Sequence, residues 1–341
     1  LSLQSAEYGK PDARTDQVRG RLDATLIAAR VASVTRHIGL VPTVIVTHTE
    51  PFHVSKAIAS LDYASNGRAG VRVRVSAAPH EAAHFGRRDI PVISPADRTA
   101  GTAAAGLMDE AADYVEVVRR LWDSWEDGAE IRDVATGRFI DIDRLHYIDF
   151  SGPWFSVKGP SITPRPPQGQ PVITALGHAA PAYQLIARSA DVGFVTPRDA
   201  EDAAEIVRDI RAQQRAAGRD GEPVHVFGDL VVFLADDQIV AARRKARLDE
   251  RAGAAYAGDA AIFTGTAAEL ADLLLDWQRA GLTGFRLRPG AIPDDLERIT
   301  RHLVPELQRR GAFRRSYDSP TLRTRLGLQR PASRYVPARG S

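Results

Sequence analysis

Cysteine is missing from all 341 residues, which excludes disulfide bridges, thiolate metal sites and cysteine nucleophiles and fits a cytoplasmic location. No apolar run approaches the roughly 18 residues needed to span a bilayer, so no membrane association is expected. The start, LSLQSAEYGKPDARTD, is too polar for a secretory signal. An excess of charge of one sign is lacking too: 45 Lys and Arg against 43 Asp and Glu give no general reason to bind nucleic acid. Phosphate-loop sequences of the GxGxxG and Walker types are absent after the early strand-like segments, which removes support for a nucleotide-binding open sheet. The first residue is Leu1, not Met, and the chain is expected to begin inside a longer one.

With 44% hydrophobic residues, the chain can bury a substantial core. Apolar, β-branched runs near 38–47, 71–76, 171–176, 192–196, 224–234 and 284–288 read as strands, each followed by a segment of helical periodicity. Strand, helix, strand in this spacing requires parallel pairing, and six such units in a row predict most of a (β/α)8 TIM barrel; an open doubly wound sheet is the alternative. The boundaries expected are a single domain over 1–341, an insertion at about 127–170 and a basic arm at about 311–341. From Arg301 onward ten Arg face only Glu306 and Asp318, and such a tail reads as a solvated or subunit-wrapping arm. Residues 77–106, rich in Pro, Gly, Ala and charge, read as an irregular excursion.

The stretch Ser60–Gly86 offers two chemistries. Val71, Val73 and Val75 alternate with Arg72, Arg74 and Ser76, as in a strand with one polar face. Directly after it, His80-Glu81-Ala82-Ala83-His84 matches the HExxH pattern of zinc hydrolases. That chemistry needs both imidazoles on one helical face and a third ligand. Phe85-Gly86 stops a helix almost at once and no third ligand follows, so no metal is expected there. His48 and His178, each just beyond a strand's C-terminal end, are candidate catalytic groups. His53, on a helix, and Trp122, Trp125 and Trp154 read first as packing residues.

Several segments, in order, carry a family resemblance. They are Ile38-Gly39-Leu40 with Thr43; Glu50-Pro51-Phe52-His53; Ser60-Leu61-Asp62 with Gly67-Arg68-Ala69-Gly70; Phe85-Gly86; and Leu121-Trp122-Asp123-Ser124-Trp125. Then come Phe155–Pro160, Pro167-Gln168-Gly169 with Pro171-Val172-Ile173, Leu326-Gly327-Leu328 and Arg330-Pro331. Together they resemble the bacterial luciferase-like flavin-dependent monooxygenases, in particular the nitrilotriacetate monooxygenase-like group. The resemblance implies a TIM barrel that uses reduced FMN, supplied by a separate flavin reductase, and O2 to oxidise a small organic substrate. It also implies a homodimer or tetramer. The pattern is entered after what would be the first one or two barrel strands, which are expected to lie outside this sequence. Carried over residue by residue, Thr43 stands at a flavin-contacting threonine, and Arg72 at the Asn of a GWNVVTS strand whose final Ser is Ser76. Gly177, His178 and Ala179 fall in the turn that faces the FMN phosphate. An arginine cannot accept a hydrogen bond from the flavin ring, so the resemblance also leaves room for a barrel that has lost flavin and binds a ligand or partner instead.

Overall fold

Helix α1 (Ala24–Ala32) starts where the Asp23 carboxylate accepts hydrogen bonds from the N–H groups of Thr25 and Leu26, both 2.9 Å. Its far end is closed by a buried arginine. The Arg68 guanidinium donates to the carbonyls of Ala32 (3.0 Å), Thr35 (2.9 Å) and Ile38 (2.8 Å), and through Nε to Ser65 (2.7 Å). The computed structural model describes residues 22–90 and 100–336, and the chain divides into two units.

The first unit holds the chain through Ala175 and the segment from Asp318. After α1 come β1 (Thr43–Ile45), α2 (Pro51–Ala64) and β2 (Gly70–Arg74), a parallel βαβ unit with Thr43 beside Arg72 and Ile45 beside Arg74. Pro51 sits at the helix start, where its missing N–H costs nothing. The chain leaves α2 through Asn66 (φ 54°) and Gly67 (φ 80°). A Cβ on Gly67 would also lie 2.7 Å from the Thr321 methyl, so only glycine suits this turn. Helix α3 (Pro79–Phe85) and helix α4 (Ala100–Asp123) follow. Among its described residues the expected irregular excursion at 77–106 therefore contains the seven-residue α3, ended by Gly86 at φ 63°, and the start of α4. Tyr114, Val117, Leu121 and Trp122 form the buried face of α4, and the Trp122 indole donates to the Ser55 carbonyl at 2.9 Å.

The insertion is built of two hairpins, β3 (Glu130–Asp133) with β4 (Arg138–Ile140) and β5 (Phe150–Ser151) with β6 (Ser156–Val157). The proline-rich segment 160–170 carries no helix or strand. Strand β7 (Val172–Gly177) then pairs in parallel with β2, placing Thr174 beside Arg72.

The second unit, Leu176–Tyr317, alternates α5 (Ala180–Ser189), β8 (Val192–Val195), α6 (Ala200–Ala216), β9 (His225–Leu234), α7 (Gln238–Ala252), β10 (Ala261–Gly265), α8 (Ala267–Arg279) and β11 (Gly284–Pro289). The long β9 pairs in parallel with β8, β10 and β11. It reads as a nearly continuous apolar run because it is buried almost throughout. The last helical stretch is α9 (Asp294–Arg298), a π-turn over Ile299–Leu303 and α10 (Val304–Arg309).

Helix α8 opens on a capping box in which Thr266 and Glu269 bond each other's backbone N–H. Thr266→Ala is expected to lower stability by about 0.5–2 kcal/mol, seen as a shift in the denaturation midpoint at unchanged slope.

The basic segment returns to the first unit. A short turn of helix, α11 (Leu322–Arg325), is anchored by Arg323, whose N–H donates to Gln168 Oε1 (2.8 Å) and whose Nη1 donates to the Gln170 carbonyl (3.0 Å). Arg330 pairs with Asp127, and Arg334 with Glu116. From Leu322 to residue 336 the arm is thus tied to residues of the first unit, with many of its side chains exposed; its last five residues lie outside the described residues.

Candidate active site

Parallel strands of the first unit bring a polar row together. Thr43, Arg72 and Thr174 are register neighbours on β1, β2 and β7, so they share one face of the sheet. Thr174 is buried, and its hydroxyl has no hydrogen-bond partner within the protein. A buried hydroxyl left unbonded costs roughly 1–3 kcal/mol, so the Thr174 hydroxyl is the atom of this row open to a water or ligand atom.

Ser76 is committed elsewhere. Its N–H donates to Thr47 Oγ1 (2.9 Å), its hydroxyl donates to Glu81, and its oxygen accepts from the Ala78 N–H (3.2 Å). As a cofactor ligand it is therefore a poor candidate in this arrangement. Glu81, the glutamate of the HExxH match, is buried and also pairs with Arg74 at 3.0 Å. The motif does lie on a helix, contrary to the expectation of a loop. Its glutamate points into the fold as a structural ion-pair partner, and no cluster of three metal-binding side chains forms among the described residues.

His48 sits just past β1, 2% exposed, with its ring stacked on Phe85 at 5.3 Å. Neither ring nitrogen has a hydrogen-bond partner. Burial holds its pKa below the ordinary imidazole value; Arg88 pushes in the same direction and Glu81 opposes. The imidazole is therefore neutral at pH 7. His53 is exposed on α2, Trp122 and Trp125 are core residues, and Trp154 is exposed.

In the second unit, Gly177, His178 and Ala179 lead from β7 into α5. A Cβ on Gly177 would meet Tyr183 at 2.9 Å, which fixes glycine at the strand end. Ala179 is the N-cap of α5 and supplies no side-chain acceptor, so the positive end of this ten-residue helix is not filled by its own chain's cap. The exposed His178 ring bonds the Thr196 hydroxyl through Nδ1 (2.9 Å) and lies 3.5 Å from Asp259 through Nε2; Asp259 in turn accepts from Arg288 at 2.7 Å. Two further charges escaped the sequence reading. Asp229, fully buried on β9, is bonded by Arg286 of β11, whose guanidinium also lies 4.9 Å from the Phe194 ring centroid. Burial pushes the Asp229 carboxyl up against the pull of Arg286 and Arg288. A lone Asp inside the apolar run VHVFGDLVVFL and two Arg in FRLRP were the available signal.

A family model for luciferase-like monooxygenases matches residues 6–260. The chain belongs to the luciferase-like monooxygenase family. A nitrilotriacetate monooxygenase component A from Aminobacter aminovorans is 33% identical over 90% of this chain and 79% of its own length. The N-acetyl-S-(2-succino)cysteine monooxygenase of Bacillus subtilis (strain 168) is 32% identical over 92% of this chain and 82% of its own length. A solved riboflavin lyase, crystallised with modified FMN and riboflavin, superposes with a TM-score of 0.79 at 26% identity, covering 92% of this chain and 80% of that one. The luciferase-like family carries the barrel fold class read from the sequence, and its named relatives are oxidoreductases. No helix among the described residues is long and apolar enough to cross a membrane.

Proposed function

We propose that this chain is the oxygenase of a two-component, flavin-dependent monooxygenase: it takes reduced FMN from a separate flavin reductase and uses O2 to oxidise a small organic substrate. The observation that carries this reading is the match to monooxygenases at 32–33% identity across nine-tenths of the chain. The donor chemistry agrees. Thr43, Arg72 and Thr174 would meet the acceptor-rich edge of an isoalloxazine ring, and the Thr174 hydroxyl is the buried polar atom awaiting a partner. In the second unit, taken by itself, the α5 N-terminus after Gly177, His178 and Ala179 offers backbone N–H groups suited to a phosphate. Reduced FMN supplies two electrons, so that one atom of O2 enters the substrate and the other leaves as water. A cytoplasmic homodimer or tetramer completes the proposal.

Arg72 also favours a second reading, a barrel that binds a ligand or partner without flavin, because a guanidinium, unlike the Asn of the resembled strand, cannot accept from the N–H of the flavin ring. An FMN titration of the full-length chain, followed by flavin fluorescence, separates the two. We expect quenching in the wild type and about 5–30-fold weaker binding in Thr174→Val, the loss of one hydrogen bond of roughly 1–2 kcal/mol. No quenching at high micromolar FMN leaves the flavin-free reading standing.

A further inference from the structure

His48 combines features that packing alone does not explain. It lies at the C-terminal end of a parallel strand, on the side of an α/β sheet where ligands bind, yet both its nitrogens are buried and unbonded. An imidazole kept only for its shape is better served by an apolar residue, which leaves no polar atom without a partner.

Part of its cover is on the surface: the stacked Phe85 is 43% exposed and occupies the last turn of the short α3, next to the left-handed Gly86. Around it, every element contributes charge that is already matched. Arg74 of β2 pairs with Glu81 of α3 at 3.0 Å. Arg87 pairs with Glu50, at the head of α2, at 2.9 Å. Arg88 pairs with Glu110 of α4 at 2.9 Å and also donates to the Thr47 carbonyl at 2.7 Å. Three cations and three carboxylates cancel, so an incoming net charge would have no counter-ion there.

We propose that His48 is a ligand-contacting residue beneath Phe85, and that it binds an uncharged group able both to donate and to accept a hydrogen bond, such as an amide or a hydroxyl. A neutral imidazole offers one N–H donor and one nitrogen acceptor, which such a group satisfies together. A carboxylate could take only the donor and would leave the second nitrogen bare. The inference deepens the oxygenase reading only in calling this ligand its substrate; the site itself requires no flavin.

The test uses the full chain with 15N-labelled histidine, the His48 signals being assigned by their loss in His48→Gln. Benzamide and phenol serve as neutral probes, benzoate and succinate as anionic ones. We expect the neutral pair to move the His48 nitrogen signals and the anions to leave them in place. Benzamide binding should fall about tenfold in His48→Phe, which keeps the stack on Phe85 and removes both nitrogens. The same variant should unfold at a higher temperature than the wild type, because two unbonded polar atoms are gone. Phe85→Ala, which leaves His48 intact, should speed exchange of the ring N–H with water and keeps the test open if His48 variants misfold. Signals moved by benzoate or succinate alone, by neither pair, or equal benzamide binding in His48→Phe would overturn the proposal. Because the probes act without FMN, a failed FMN titration leaves these shifts readable.

Discussion

Asp295→Ala is expected to cost about 3–5 kcal/mol and to unfold the second unit first, the usual result of removing one partner of a buried ion pair. The carboxylate is fully buried and all of its bonding capacity is used. It accepts from the backbone N–H of Leu234 (2.8 Å) and of Ala291 (2.7 Å), and it takes Arg244 through two bonds of 2.7 and 3.0 Å. One side chain thus ties α9 to the end of β9 and to α7. Alanine leaves two backbone donors without acceptors and the Arg244 guanidinium with only its longer contacts to the Leu234 carbonyl (3.4 Å) and the exposed Asp294 (3.5 Å), whereas Asn keeps one acceptor and should lose less. Arg244→Met added to Asp295→Ala removes the stranded charge and should recover part of the loss. Hydrogen exchange followed by mass spectrometry gives the decisive reading: protection should fall over Gln238–Ala252 and β9 while the first unit keeps its own. Equal loss in both units, or none, would show that Asp295 does not pin this unit.

What could be read from the sequence was the part set by local pattern. Continuous apolar runs marked β7 and β9, and the alternation of Val71 and Val73 with Arg72 and Arg74 marked β2, because side-chain direction in a strand has a fixed period of two. The strand at 38–47 was overdrawn. Only Thr43–Ile45 is ladder-paired, with Leu40 held by an isolated bridge, since an apolar run says that a segment is buried and not how much of it is paired. Strand β10 was missed altogether, five residues emerging from a stretch of Gly, Ala and Tyr that reads as a turn. The resemblance located Thr43 and Arg72, but Thr174 became visible only when register set it beside Arg72. Burial likewise separated two residues that look alike in the sequence: Ser76 has its hydroxyl used up by Glu81, whereas His48 has both nitrogens unused. Neither fact depends on nearest neighbours in the chain, and no spacing rule supplies them.

The arginine-rich arm leads to the second large effect. Arg165 lies in the four-proline segment and is almost wholly buried. Its Nε and Nη2 donate to Asp123 Oδ1 (3.0 and 2.9 Å), its Nη1 donates to Asp127 (3.0 Å), and Nη2 also reaches the Pro331 carbonyl at 2.9 Å. It therefore joins the end of α4, the insertion and the arm at one point. Arg165→Met should destabilise the first unit by about 3–5 kcal/mol, because Asp123 is left buried with only the longer 3.3 Å bond from Arg334. Adding Asp123→Asn removes the uncompensated charge and should restore part of that loss; urea denaturation of the four chains of the cycle measures it. A smaller acid-side effect accompanies it. The Asp127 carboxyl is held below its usual range, first by its bond to Arg330 and then by Arg165. A carboxyl depressed in the folded state contributes stability above the unfolded pKa, near 4, and loses it as pH falls through the lower folded value. Since Asp127 is more than half exposed, that contribution is at most about 1 kcal/mol, and Arg330→Ala should flatten the stability profile below pH about 4 without touching it at pH 7 by more than this amount. If Arg165→Met proved as stable as the wild type, the arm would be docked by its other contacts, chiefly Arg323 on Gln168 and Gln170.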